Sequence, residues 1–227
     1  VNKNLLKKRT LNTLALSSLL AFTSPTWALD WFGGDAAPPS LTLAPAEIAI
    51  ELPAPIHRDL ELLLSGTGGG KSLAELESRA VRKFSTLLRK ELDTELRKHF
   101  EGEGVPLVQE GGLLTLRNFL DIAVSRQLHE METTADYELE RGVLTLSGTF
   151  HYRLENNSGE ALRERRLDIA ELQVQEKYLV KAPLGGGEAE NSSDQATEQA
   201  LTKLVGLLLE RVEDDLEADE LRDMTAP

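Results

Sequence analysis

The sequence predicts an α+β fold: a mostly antiparallel sheet of about four strands packed against two or three amphipathic helices. Apolar residues recur every three or four positions in separate segments, they alternate with polar residues in the stretches between, and clusters of Gly, Pro and Asn punctuate the boundaries. Strands grouped in sequence with helices outside them favour helical stripes covering one face of a sheet.

In chain order, Lys3, Lys7, Lys8 and Arg9 form a positive stretch ahead of a short apolar run through Leu11, Leu14, Leu16, Leu19, Leu20 and Phe22. Thr23, Ser24 and Pro25 break that run, and the small residues Thr26 and Ala28 stand at the −3 and −1 positions of a cut after Ala28. This is the three-part layout of a secretory signal peptide over residues 1–28, and the run is too short for the usual membrane-spanning helix. Residues 29–40, with Gly33, Gly34, Pro38 and Pro39, read as a flexible leader that carries Trp31 and Phe32. A single α+β domain is expected over 41–218 and an acidic C-terminal tail over 219–227.

Within the domain, Ile48, Ile50 and Leu52 alternate with Ala49 and Glu51, and the flanking Pro45, Pro53 and Pro55 confine this strand to a short or edge position. After a turn-rich stretch, Ser72 and Glu75 match a capping box, and Leu73, Leu76, Ala80, Phe84, Leu87, Leu88, Leu92, Leu96 and Phe100 form one helical stripe that Gly102 and Gly104 end. Leu116, Leu120, Val124 and Leu128 sit four apart and favour a second helix over 114–131, although Leu120, Ile122 and Val124 also fit a strand. From Tyr137 to Leu154 the alternation reads as an antiparallel hairpin with a tight connection at Arg141 and Gly142. Asn156, Asn157, Ser158 and Gly159 form the next turn, and a strand follows within 167–180 whose parity slips between Ile169 and Leu172, as at a bulge or break. A Gly-rich loop over 185–191 ends the sheet region. Ser192 and Gln195 offer another capping box, opening a helix whose buried stripe is Leu201, Leu204, Leu208, Val212 and Leu216.

Charge and composition narrow the function. Among 227 residues, 25 Lys+Arg face 38 Asp+Glu, a net charge of −13, and the cut after Ala28 would remove four basic and no acidic side chains. That balance disfavours nucleic acid and anionic membranes, which need a basic face. The absence of cysteine excludes a disulfide, a thiolate metal site, a cysteine nucleophile and a lipidated cysteine within this chain. After cleavage no membrane span is expected.

Chemical motifs are few. The stretch 65–72 resembles a phosphate-binding loop, with Lys71 and Ser72 at its end, but Ser65 replaces the required first Gly and no convincing magnesium-holding Asp follows a strand. A linker leading into a helix cap explains the same residues. His57, His99, His129 and His151 fall on different predicted elements, and no nucleophile elbow is present. The sequence therefore implies no cofactor, no metal and no catalytic set. Arg153, Arg163, Arg165 and Arg166 form the one basic cluster after residue 28, and guanidinium groups suit carboxylate or phosphate recognition, whereas Glu160, Glu164 and Asp168 are placed to neutralise them. The expectation is an exported, periplasmic, non-enzymatic binding or assembly protein of the bacterial cell envelope, meeting an envelope protein or an anionic envelope component through these arginines. The competing reading is a divergent nucleotide-binding or hydrolytic enzyme that uses the Gly-rich loop.

Overall fold

A computed structural model describes residues 37–53, 73–187 and 189–225. The export signal, the leader up to residue 36, the glycine-rich loop and the Ser72 cap all lie outside the described residues.

The described fold is α+β, with an eight-stranded mixed sheet that is not closed. Its centre is a hairpin of two 20-residue strands, β4 (Leu114–Thr133) and β5 (Tyr137–Asn156), paired antiparallel along their length. The strands β1 (Leu41–Leu43) and β2 (Glu47–Glu51) follow each other along the free edge of β4, both parallel to it. On the far edge of β5, β6 (Ala161–Asp168) and β7 (Gln175–Pro183) follow each other antiparallel to it. Short strands β3 (Leu107–Val108) and β8 (Glu190–Asn191) extend the sheet beyond β1 and β7. About four antiparallel strands were expected. The count differs because both flanking strands are interrupted, at residues 44–46 and by a 3-10 turn at Ile169–Leu172, and because the two-residue strands β3 and β8 add to the edges. The pairing is mixed because β1 and β2 run with β4 and β3 runs with β1. The parity slip between Ile169 and Leu172 is thus a broken strand.

The helix expected over 114–131 is strand β4. Its residues alternate between buried and accessible from Leu114 to Val124, with Leu114, Leu116, Asn118, Leu120, Ile122 and Val124 turned inward. Residues four apart share a face in a strand as well as in a helix, because four is a multiple of two, so the 116–120–124 spacing satisfies both patterns. A bulge between Leu128 and Glu130 then breaks the series, and Leu128 is 53% exposed. The tight connection expected at Arg141 and Gly142 is likewise mid-strand. Gly142 lies against the Tyr178 ring and the Gln127 carbonyl, leaving no room for a side chain.

Helices α1 (Leu73–Gly102), α2 (Ser193–Val212) and α3 (Ala218–Thr225) accompany the sheet, and the inward residues of β4 share one hydrophobic core with α1 and α2. Phe84, Leu88, Leu92, Leu96 and Phe100, four apart on α1, are all buried, as are Leu201, Leu204, Leu208 and Val212 on α2. The end of α1 at Gly102 is followed by Gly104 at φ 68°, a left-handed conformation that glycine adopts without cost. Ser192 does not cap α2 through its side chain. Its hydroxyl is held by the Leu179 backbone, and Asn191 Oδ1 instead accepts the Ser193 N–H at 2.9 Å. The acidic end, expected as a tail over 219–227, forms α3, because Ala218 and Leu221 supply an apolar contact with the core. Among the described residues no helix is long and apolar enough to cross a membrane.

Candidate functional site

Strand geometry divides the four arginines. Successive residues of a strand face opposite sides, so Arg163 and Arg165 share one face of β6 while Glu164 and Arg166 share the other. The β5–β6 register places Arg163 opposite Leu154 and Arg165 opposite Tyr152, both of which point into the core, and it places Arg166 opposite His151 and Glu164 opposite Arg153.

The inward pair is committed to the fold. Arg163 donates to the Asp215 carbonyl at 3.0 Å and to Glu220 at 2.7 Å, and Arg165 donates to the Asp215 carboxylate. Tyr152, buried among the core residues, donates its hydroxyl to the same carboxylate at 2.8 Å. Burial would raise the Asp215 carboxyl, but hydrogen bonds from Arg165 and Tyr152 and the charges of Arg165 and Arg163 outweigh it and hold the group below its ordinary value. Tyr152 moves the other way: desolvation first, then its bond to the Asp215 anion, pushes the phenol upward. These contacts fasten the segment Glu213–Leu216 and α3 to the sheet.

Arg153 and Arg166 belong instead to the outer face. One row crosses the sheet from Glu47 on β2 through Phe119 and His151 to Arg166, and the next runs through Ala49, Asp121, Thr149 and Asp168. Phe119 and His151 stack with ring centroids 5.3 Å apart and planes inclined by 21°. Beside them, Glu164 receives Arg153 Nε at 3.1 Å and stands 2.9 Å from His151 Nε2, while Glu155 receives Arg117 Nε at 2.9 Å. Desolvation would raise the Glu164 carboxyl, but the charge and hydrogen bond of Arg153, joined by those of His151, hold it below its ordinary value. Asp168 is occupied in capping the 3-10 turn, its carboxylate accepting the Ala170 N–H at 2.9 Å.

Arg166 and Asp121 make no ion pair with any described residue. Together with Glu47, Phe119, Thr149 and His151 they line an open depression of about 500 Å³ on a sheet face that carries no described helix. It offers a stacked aromatic pair flanked by Arg166 and the carboxylates of Glu47 and Asp121, an arrangement suited to binding a polar partner surface. The aromatic stack was missed in the sequence, although the β4 alternation contains the signal for it. Once 114–124 is read with period two, Phe119 and Asp121 fall outward together.

No family model matches the chain, and no curated protein matches it. Among solved structures, the chain is similar to a neuraminyllactose-binding hemagglutinin homolog from Helicobacter pylori, with 14% identity, coverage of 85% of this chain and 95% of that one, and a TM-score of 0.42. It is also similar to a minor lipoprotein from Acinetobacter baumannii (16% identity, 79% and 91% coverage, TM-score 0.36) and to a lipoprotein from Neisseria meningitidis (12% identity, 79% and 98% coverage, TM-score 0.20). At TM-scores below 0.5 these likenesses carry no functional inference.

Proposed function

We propose that this chain is an exported, non-enzymatic binding or assembly protein of the bacterial cell envelope, and that the outer face of its sheet is the surface it presents to a partner. The observation that carries this reading is the row Glu47–Phe119–His151–Arg166, which no described helix covers and in which a guanidinium without an ion pair among the described residues sits beside a stacked aromatic pair. Sheets need both faces covered only when both are apolar, and this face is polar, so it stays folded while open to solvent. The signal-like stretch 1–28 supports export, and Arg166, without an ion pair among the described residues, supports an envelope protein or an anionic envelope component as the partner, whereas Arg153 is occupied by Glu164 and Glu155.

The reading is tested by chemical crosslinking in cells. The wild-type protein is expected in processed form outside the cytoplasm, in one discrete adduct with an envelope component. The pair Phe119→Ala and Arg166→Glu is expected to reduce that adduct at least about tenfold while shifting Tm by no more than about 4 °C, the range of a modest surface change in a chain of this size. An adduct that the pair leaves unchanged, or an uncut protein confined to the cytosol, contradicts the proposal.

A further inference from the structure

A second site lies on the opposite side of the sheet, under α1. Asn118 is the only polar residue among the inward positions of β4 from Leu114 to Val124, and it is 3% exposed. Its side chain has no hydrogen-bond partner among the described residues. Its amide atoms are not sealed from solvent but reach the cleft beside them, where they are open to a partner that is not part of the chain.

The cavity exists because the edge strand is broken there. Leu43 pairs with Leu116 and Glu47 with Phe119, so residues 44–46 span only Arg117 and Asn118 on β4 and leave the ladder. Between this break and α1 is a cleft of about 370 Å³ with Asn118 in its lining, within the range of small-ligand pockets. Pro45, Leu92 and Leu96 give it apolar walls. Arg89 and Lys90 also line it. Arg89 Nε donates to the Ala46 carbonyl at 3.2 Å, which ties the break to the helix, while its other guanidinium nitrogens and the Lys90 ammonium have no partner among the described residues. Arg97, by contrast, is neutralised by Asp93 at 2.8 Å.

These features define a ligand. An asparagine side chain both donates and accepts, so its best complement is a group presenting an N–H and a C=O, namely a peptide amide. The apolar walls call for an aliphatic side chain, and two unpaired cations call for a carboxylate. We infer that this cleft binds the C-terminal residue of a peptide ending in an aliphatic amino acid, with the last amide at Asn118, the side chain against Leu92 and Leu96, and the terminal carboxylate at Arg89 and Lys90. The inference is independent of the outer-face reading.

The test is an NMR titration of the purified protein with acetyl-Ala-Ala-Leu carrying a free carboxylate, following the Asn118 side-chain NH₂ and the Arg89 Nε–H signals. Saturable shifts of both are expected. Binding should weaken at least about tenfold for the same peptide as its C-terminal amide, and by a similar factor in Asn118→Leu and in Lys90→Glu. Lys90→Glu changes an exposed helix position and so keeps the test informative if Asn118→Leu fails to fold. Thr202→Glu, an exposed position on α2, should leave the titration unchanged. The inference is overturned if no saturable shift occurs up to millimolar peptide, if the amidated peptide binds equally well, if Lys90→Glu binds like wild type, or if octanoate binds as tightly as the peptide, which would make the site one for acyl carboxylates.

Discussion

Replacing Gly148 by alanine is expected to destabilise the protein by at least about 3 kcal/mol. Gly148 lies at the middle of the central hairpin, opposite Ile122, with φ at +123°, where a side chain is strained. A Cβ placed there would lie 2.0 Å from the Asp121 carbonyl oxygen and 3.1 Å from the Ile122 Cα, both backbone atoms of the paired strand. Strain and overlap each cost about 1–3 kcal/mol, and neither is relieved without moving β4 away from β5. Urea denaturation checks this. A midpoint within error of wild type would mean that the β4–β5 pairing is not as described.

Substituting Asp215 by alanine is expected to cost about 2–4 kcal/mol and to change the response to acid. One carboxylate, 25% exposed, receives the Tyr152 hydroxyl and the guanidinium groups of Arg163 and Arg165. Its removal leaves the Tyr152 hydroxyl and Arg165 without their anion, while Arg163 keeps Glu220 and the backbone carbonyl of residue 215. The sign of the pH effect follows from the direction of the shift. The folded-state pKa of Asp215 lies below its ordinary 3.8, so its contribution is fully present above that value and is lost as pH falls through the folded-state pKa. The wild type should therefore lose stability below about pH 4 more steeply than Asp215→Ala. Equal slopes in acid denaturation would show that this network does not hold the C-terminal helix to the sheet.

Much of this architecture is legible in the residues. The stripe from Phe84 to Phe100 and the stripe from Leu201 to Leu216 specify helices through their three-residue steps, Phe84 to Leu87 and Leu201 to Leu204, which a period of two does not place on one face, and the broken strand announces itself in the slip between Ile169 and Leu172. The segment from Leu114 was ambiguous because its most conspicuous leucines stand four apart, where the two periods coincide. Only the intervening Asn118 and Ile122, both buried, settle it as a strand.

The arginine cluster shows a different limit. Adjacency in sequence groups Arg163, Arg165 and Arg166, but a strand sends neighbours to opposite faces, and only the pairing with β5 tells which face meets the core. Asp215 and Glu220, which occupy Arg163 and Arg165, come from about fifty residues further along and could not be assigned to them by proximity in the chain. The unpaired state of Asn118 depends on a strand break that Pro45 hints at but does not locate.

The role of the outer sheet face is tested most directly by a photoreactive amino acid introduced in cells at Phe119 or Arg166, and, as a control, at Thr202, an exposed position on α2. Irradiation should give the same envelope adduct from both outer-face positions and none from Thr202. An adduct formed from Thr202 but from neither Phe119 nor Arg166 would contradict the account and move the contact surface to the helices.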